Sequence, residues 1–229
     1  MIRRTLLTLT LALAVVAVGC QKKAEETKTA EAKKTKKCET LTREQIQAII
    51  EKVNQMPLEP VKPNEVAVLE TDFGDIVIKF FPDKAPLHTQ YFKRLVKAGF
   101  YDCTTFHRVV KDFVIQGGDI LTRDDDPTND GTGNAGYHIP AEFNDIPHDK
   151  GIVSMARARD PNSAGTQFFI CLKRLPNLDH QYTVFGKVIE GMDVLDKIAS
   201  VPTKMQPGMR EKSRPVKPVY IRHAYMTTR

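Results

Sequence analysis

A length of 229 residues allows one substantial folded domain with extensions, and the composition, 41% hydrophobic and 27% charged, is ordinary for a globular protein. The formal net charge of +6 is concentrated: Arg3, Arg4 and the segment 21–37, with seven lysines against three glutamates, hold all of it. The rest of the chain is neutral overall, so the basic balance is no nucleic-acid footprint on a folded domain.

Arg3 and Arg4 precede an almost wholly apolar run from Leu6 to Val18. A transmembrane helix needs roughly 20 such residues. This run is shorter and has the form of a signal peptide that ends at small residues. Ala17-Val18-Gly19-Cys20 resembles the lipobox of bacterial lipoproteins, with Ala17 where Leu is more usual. That resemblance implies a signal peptide over residues 1–19, cleavage after it, and lipidation of Cys20. Gln21 stands where the inner-membrane retention signal of lipoproteins has Asp. The implied location is the outer membrane of a bacterial envelope, facing the periplasm. Residues 21–37 contain only Lys, Glu, Thr, Ala and Gln. Such a segment has nothing to bury, so residues 20–40 are expected to form a disordered tether. About 20 residues of flexible coil span roughly 25 Å.

Residues 41–64 begin with Thr42 and Gln45 at capping-box spacing. Ile46, Ile49, Ile50 and Val53 then form a stripe at helical spacing. The prediction is a helix over 42–55 and a connector broken by Pro57, Pro60 and Pro63. The main domain is expected over 65–229. Runs at 66–71 and 76–81 flank Asp72-Phe73-Gly74-Asp75 as a hairpin. A helix is predicted over 86–98, with Pro86 in its first turn and Gly99 just past its end. Short strands follow at 105–110, 113–117, 152–157, 166–172, 183–188 and 219–226, with a second helix at 192–199. Many short strands and two substantial helices predict a mainly β fold, a closed barrel.

The informative segments are FHRVVKDFVIQGGD (106–119), GTGNAGYHIPAEF (131–143), GIVSMARA (151–158), AGTQFFICL (164–172) and NLDHQYTVFGKVIEGMDVL (177–195). By period two, Val114 and Gln116 share a strand face. So do Gln167, Phe169 and Cys171, while Phe168 and Ile170 point the other way; one face can fill a barrel while the other lines a groove. Together, in this order, these segments resemble the cyclophilin family of peptidyl-prolyl cis-trans isomerases from about Val66 to Met226. The resemblance implies a closed eight-stranded antiparallel barrel capped by two α-helices, and rotation of X–Pro peptide bonds as the activity.

That reaction fits these residue types. Peptide rotation faces roughly 18–20 kcal/mol because the nitrogen lone pair is delocalised, and X–Pro bonds exchange slowly. A catalyst needs a dry pocket for the proline ring and a donor aimed at the prolyl nitrogen; a donor that strengthens as the nitrogen pyramidalises favours the transition state. By resemblance, Arg108 is the donor, with Gln116 and Phe113 as its catalytic companions. Phe113, Val114, Phe169, Leu178 and Tyr182 would form the proline pocket. Gln116 would hydrogen-bond a substrate carbonyl, Ala156 and Arg157 would pair with the peptide backbone through their main chain, and Gln167 would support Arg108. Four positions depart from the best-known eukaryotic pattern: Val114 replaces Met, Arg157 replaces Asn, Tyr182 replaces His and Asn177 replaces Trp.

No cofactor, metal or proton transfer is required, and the histidines show no ligand spacing. His107 is read as structural. The Gly131–Gly136 stretch lacks the lysine and helix of a phosphate loop. The expected partners are proline-containing peptides, unfolded envelope proteins and, through the lipid, a membrane; a monomer is expected. With Cys20 assigned to lipid, Cys38, Cys103 and Cys171 allow at most one internal bond. An oxidising periplasm would permit Cys38–Cys103, although spacing alone does not set their distance. A proline-binding module without turnover fits the pocket residues too, and Arg108 with Gln116 favours turnover. An envelope structural lipoprotein would explain anchor and tether but not the pocket.

Overall fold

The computed structural model describes residues 37–206 and 211–229. The signal peptide expected over 1–19, the lipidation position Cys20 and the tether as far as residue 36 lie outside the described residues.

Helix α1 (Arg43–Gln55) starts on the capping box: Gln45 N–H donates to Thr42 Oγ1 at 3.3 Å, and Thr42 N–H donates to Gln45 Oε1 at 2.8 Å. Its apolar stripe of Ile46, Ile49, Ile50 and Val53 packs into the main core. Asn54 Nδ2 fixes its far end on the Ala135 carbonyl at 3.0 Å. Before the helix, Cys38 is disulfide-bonded to Cys103 across a 65-residue separation, the pairing that spacing alone left open. Cys171 is a buried free thiol.

Strands β1 (Glu65–Thr71) and β2 (Gly74–Phe80) form the expected hairpin with a tighter turn. Gly74 opens β2 at φ +127°, where a Cβ would meet Val194 Cγ2 at 3.0 Å. Helix α2 (Pro86–Ala98) ends on left-handed Gly99, whose N–H caps the Leu95 and Val96 carbonyls. From α2, Phe92 enters the centre of the fold. Its ring lies 5.0–5.7 Å from those of Phe80, Tyr101, Phe168 and Phe185. Such pairs each add about 1 kcal/mol beyond their area burial.

The remaining strands are β3 (Thr104–Thr105), β4 (Arg108–Val110), β5 (Val114–Gly117), β6 (Ile152–Met155), β7 (Phe168–Cys171), β8 (Val184–Glu190), β9 (Thr203–Met205), β10 (Lys212–Pro215) and β11 (Tyr220–Thr228). Helix α3 (Met192–Ala199) follows β8.

Among the described residues the fold is mainly β with three α-helices, but the barrel differs from expectation. Nine strands form one curled, half-barrel sheet in the order β3-β11-β1-β2-β8-β6-β7-β5-β4, and it is not a closed eight-stranded barrel. The reason lies in the run expected as one strand over 105–110. It breaks at Phe106 and His107: β3 pairs with β11, while β4 pairs with β5. One short segment thus supplies both edges of the sheet. No ladder joins β3 to β4, so chain connectivity through Phe106 and His107 takes the place of hydrogen bonding at the seam. Phe106 is fully buried there, and its N–H donates to the Val219 carbonyl at 2.9 Å. Strands β9 and β10, absent from the sequence reading, form a separate hairpin.

Candidate active site

The site is built from one row of cross-strand neighbours. Arg108 on β4 pairs with Gln116 on β5, Gln116 pairs with Phe169 on β7, and Phe169 pairs with Ser154 on β6. Directly opposed residues project to the same face of a sheet, so Arg108, Gln116 and Phe169 rise together on one side. Val114, two residues before Gln116, joins that face. The other face of β7 presents Phe168 and Ile170, fully buried in the main core, whereas Phe169 and Cys171 belong to a second apolar cluster with Val114, Leu178 and Val184. The two-faced reading of this strand is therefore what the structure has.

Arg108, Phe113, Val114, Gln116, Ala156, Arg157, Phe169, Leu178 and Tyr182 line one pocket of about 110 Å³. These are nine of the ten groove residues read from the sequence. The tenth, Gln167, lies in an adjoining groove of about 250 Å³ that shares Gln116, Ala156 and Arg157 with the pocket. Val114, Phe169 and Leu178 are buried and make an apolar floor; Arg108, Gln116 and Arg157 supply a polar rim.

Each wall is held by a different device. Phe169 packs edge-on against Tyr182 with centroids 5.4 Å apart, and its other side stacks on His148 at 6.1 Å. His148 is fixed by Asp179 Oδ1 at 3.1 Å and by Ser154 Oγ at 2.9 Å. Burial pushes the His148 pKa down, while Asp179 partly restores it. Asp179 is itself held well below the usual carboxylate range, first by Arg174. Leu178 is delivered by the short 3-10 turn Pro176–Leu178. Arg157 lies over Tyr182 at 4.7 Å and spends its guanidinium protons on the carbonyls of Gln181, Ala158 and Arg159. It is a wall of the pocket. The N–H of Ala156 is committed to the Gln167 carbonyl at 2.9 Å, which leaves its own carbonyl to meet a peptide.

The Gly117-Gly118-Asp119 sequence organises the groove behind the rim. Gly118 sits at φ +86°, where a Cβ would lie 2.5 Å from the Thr166 carbonyl oxygen. Buried Asp119 accepts the Gly131 N–H at 2.5 Å, and Gly133 packs so closely on it that a Cβ would meet Asp119 Oδ1 at 2.1 Å. The carbonyls of Gly131 and Gly133 then both accept from Gln167 Nε2 at 3.0 Å.

The family resemblance implies that Gln167 supports Arg108. In the structure its side-chain bonds run to Gly131, Gly133 and Gln116. The group that grips Arg108 is Glu211, which accepts from Nε at 2.6 Å. Phe113 covers the guanidinium from 5.6 Å. Nothing in the sequence marks Glu211, His148 or Asp179 for the site. They act through contacts of 31 to 103 residues' separation, or across a buried wall, and carry no local signal.

The sequence profile described as "Cyclophilin type peptidyl-prolyl cis-trans isomerase/CLD" matches residues 66–226. The chain belongs to the cyclophilin-type peptidyl-prolyl cis-trans isomerases. It is similar to a probable peptidyl-prolyl cis-trans isomerase of Brucella abortus, 43% identical over 141 residues, which cover 59% of this chain and 72% of that one. A peptidyl-prolyl cis-trans isomerase of Synechococcus elongatus is 43% identical over 143 residues, covering 59% and 93%. In structure it is similar to a cyclophilin-type isomerase of Cryptosporidium parvum, solved in the presence of the dipeptide Ala-Pro. The TM-score there is 0.63 at 29% identity, covering 72% of this chain and 99% of that one. This cyclophilin carries three of its expected departures, Val114, Arg157 and Tyr182, in the pocket itself.

Proposed function

We propose that this cyclophilin is a lipid-anchored isomerase that assists the folding of cell-envelope proteins, with Arg108 as its transition-state donor. The observation that carries the site reading is the single row that sets Arg108 and Gln116 above the floor of Val114, Phe169 and Leu178. A pyrrolidine ring fits the apolar floor. Arg108 then directs charged N–H groups at the prolyl nitrogen, and Gln116 holds a neighbouring carbonyl. As the amide twists, its nitrogen regains a lone pair, and the bond from Arg108 strengthens. Phe113 and Tyr182 keep water off the ring. No bond is made or broken, and rotation alone is catalysed.

Localisation rests on the sequence: the apolar leader, the lipobox-like Ala17–Cys20 and the polar tether. A lipidated cysteine carries more than one acyl chain, enough for stable anchoring. The Cys38–Cys103 disulfide fits an oxidising compartment. Proline-containing segments of unfolded envelope proteins are the proposed clients, met by a monomer.

Exchange spectroscopy on an Ala-Pro peptide tests the site. Arg108→Ala should lose about 100-fold in rate, as for loss of one preorganised donor. Arg108→Lys should also be impaired, because a point charge does not reproduce the planar fork. Arg108→Ala with more than half the wild-type rate would remove Arg108 from the mechanism. Membrane fractionation tests the anchor: Cys20→Ser should move to the soluble fraction, and its retention on membranes after a high-salt wash would end the lipoprotein reading.

A further inference from the structure

We infer that Glu211 is a positioning residue for this isomerase: its carboxylate aims the guanidinium of Arg108 and screens it from competing anions. The inference rests on the reading of Arg108 as the donor.

Arg108 offers three nitrogens. Glu211 Oε1 takes the Nε–H at 2.6 Å. The planar fork of guanidinium then turns as one unit, so fixing Nε fixes the direction of the two terminal nitrogens. Phe113, 5.6 Å from the guanidinium carbon, restrains one flat side. A long side chain that would otherwise sample many rotamers is left with its two terminal amino groups for the pocket.

Glu211 does not hang free beside the site. It lies immediately before β10, the return strand of the β9–β10 hairpin, and its carbonyl accepts the Gln206 N–H at 3.4 Å. Gln206 is buried and reaches the Asp130 carbonyl at 3.3 Å. Arg214, three residues past Glu211, bonds the Pro127 carbonyl and the Asp130 carboxylate, each at 3.1 Å. The hairpin is thus moored to the 127–131 segment, which also supplies the Gly131 carbonyl to Gln167. Both orienting contacts at the rim, Glu211 on Arg108 and Gln167 on Gln116, share that mooring.

The carboxylate has a second consequence. An unpaired arginine at the mouth of an apolar pocket is a site for phosphate, sulfate or acidic side chains. The reaction needs that charge to meet a neutral amide. Glu211 cancels most of the long-range field while leaving short-range N–H donation intact. Peptides with acidic residues beside proline therefore meet no excess positive potential at Arg108.

The test compares wild type, Glu211→Ala, Glu211→Gln and Arg108→Ala by peptide exchange kinetics. Glu211→Ala should lower kcat about 10-fold, within the range set by misplacing a reacting group, with KM for a neutral Ala-Pro peptide within about twofold. Glu211→Gln keeps an acceptor for Nε–H and should retain most of kcat. The Arg108 Nε–H resonance in 1H–15N spectra should persist in Glu211→Gln and vanish in Glu211→Ala, at unchanged melting temperature. Both variants should gain sensitivity to inorganic sulfate. Unchanged kcat in Glu211→Ala, while Arg108→Ala is inactive, overturns the positioning role and leaves the donor reading standing. Wild-type rates in Arg108→Ala overturn both.

Discussion

Gln116 donates its amide N–H to Gln167 Oε1 at 3.1 Å, and this bond has only one possible polarity. Gln167 Nε2 spends both of its protons on the carbonyls of Gly131 and Gly133. Its oxygen must therefore face Gln116, and Gln116 must answer with nitrogen. Gln116 is left with one N–H and its own oxygen for a ligand. The glycine carbonyls that set this polarity are placed by Asp119, so the order runs from a buried carboxylate, through two backbone groups and one amide, to the rim of the pocket.

Gln167→Glu reverses that polarity at one atom. A carboxylate oxygen would face two carbonyl oxygens with no proton between them. Leaving such groups unpaired costs about 1–3 kcal/mol, and Gln116 loses its orientation. The variant should melt earlier and show KM for proline peptides raised severalfold, with kcat less affected. Thermal denaturation and exchange kinetics check it; wild-type KM in a folded Gln167→Glu would detach Gln167 from Gln116.

Much of this was legible locally. The capping box at Thr42, the hairpin at Asp72 and the split faces of β7 are short-range patterns, and the structure repeats them. The row of Arg108, Gln116 and Phe169 depends on strand register, yet period two and the family resemblance placed all three at one pocket. What was not legible is long-range. Nothing in Thr105–Val110 marks a break, because the residues on both sides suit a strand; the division shows only in the fold, where Phe106 is buried and its N–H bonds the Val219 carbonyl. The β9–β10 hairpin is hidden by Pro202, Pro207 and Pro215, which read as loop. Glu211 sits 103 residues from Arg108, and no spacing rule joins them. The partner of Cys38 was open for the same reason.

His107 gives the domain a pH dependence. Burial, followed by the positive charges of Arg108 and Arg214, pushes its pKa from 6.5 down to about 4. The folded value lies below the unfolded one, so between pH 6.5 and 4 the unfolded chain binds a proton that the native state refuses. Stability is full above pH 6.5 and falls as the pH drops towards 4, by about 3 kcal/mol at most. Asp130, which lines a cavity together with His107, acts with the opposite sign. Its own burial, against the pull of Arg214, raises it to about 6, so protonation on acidification favours the fold. His107→Phe removes only the first effect. The variant should therefore gain stability relative to wild type on going from pH 7 to pH 5. Denaturant midpoints of both proteins at the two pH values check this; an equal difference at both would acquit His107.

The Cys38–Cys103 bridge closes a loop containing α1, β1, β2 and α2. For about 65 residues, chain-entropy arguments assign roughly 4 kcal/mol. Dithiothreitol should lower the denaturant midpoint of the wild type and leave that of Cys38→Ser unchanged. Isomerisation should survive, because neither cysteine lines the pocket. Thiol titration of the denatured, unreduced Cys20→Ser chain should find Cys171 alone; three reactive thiols would remove the bridge.

Asn177 sets the last expectation, which concerns cyclosporin. It lies in the turn that delivers Leu178 to the pocket floor, is exposed, and accepts the Gln181 amide on its carbonyl at 3.1 Å. By resemblance, this is the position where cyclosporin-sensitive cyclophilins carry Trp, whose indole packs at the rim and can donate its N–H to the drug. Asn offers a smaller amide and no aromatic wall. Interface Trp contacts are often worth about 2 kcal/mol, roughly 30-fold in affinity. A short proline peptide relies instead on Phe113, Phe169 and Leu178, so its turnover should depend little on residue 177. The protein is therefore expected to be an active isomerase that binds cyclosporin weakly. Asn177→Trp should tighten the drug about 30-fold while changing peptide turnover less than threefold, in keeping with an anchor at the rim rather than the floor. Cyclosporin titrations of both proteins, followed by peptide isomerisation, decide it. Tight inhibition of the unmodified chain, or no gain from Asn177→Trp, would mean that the drug is held here by the floor and not by the rim.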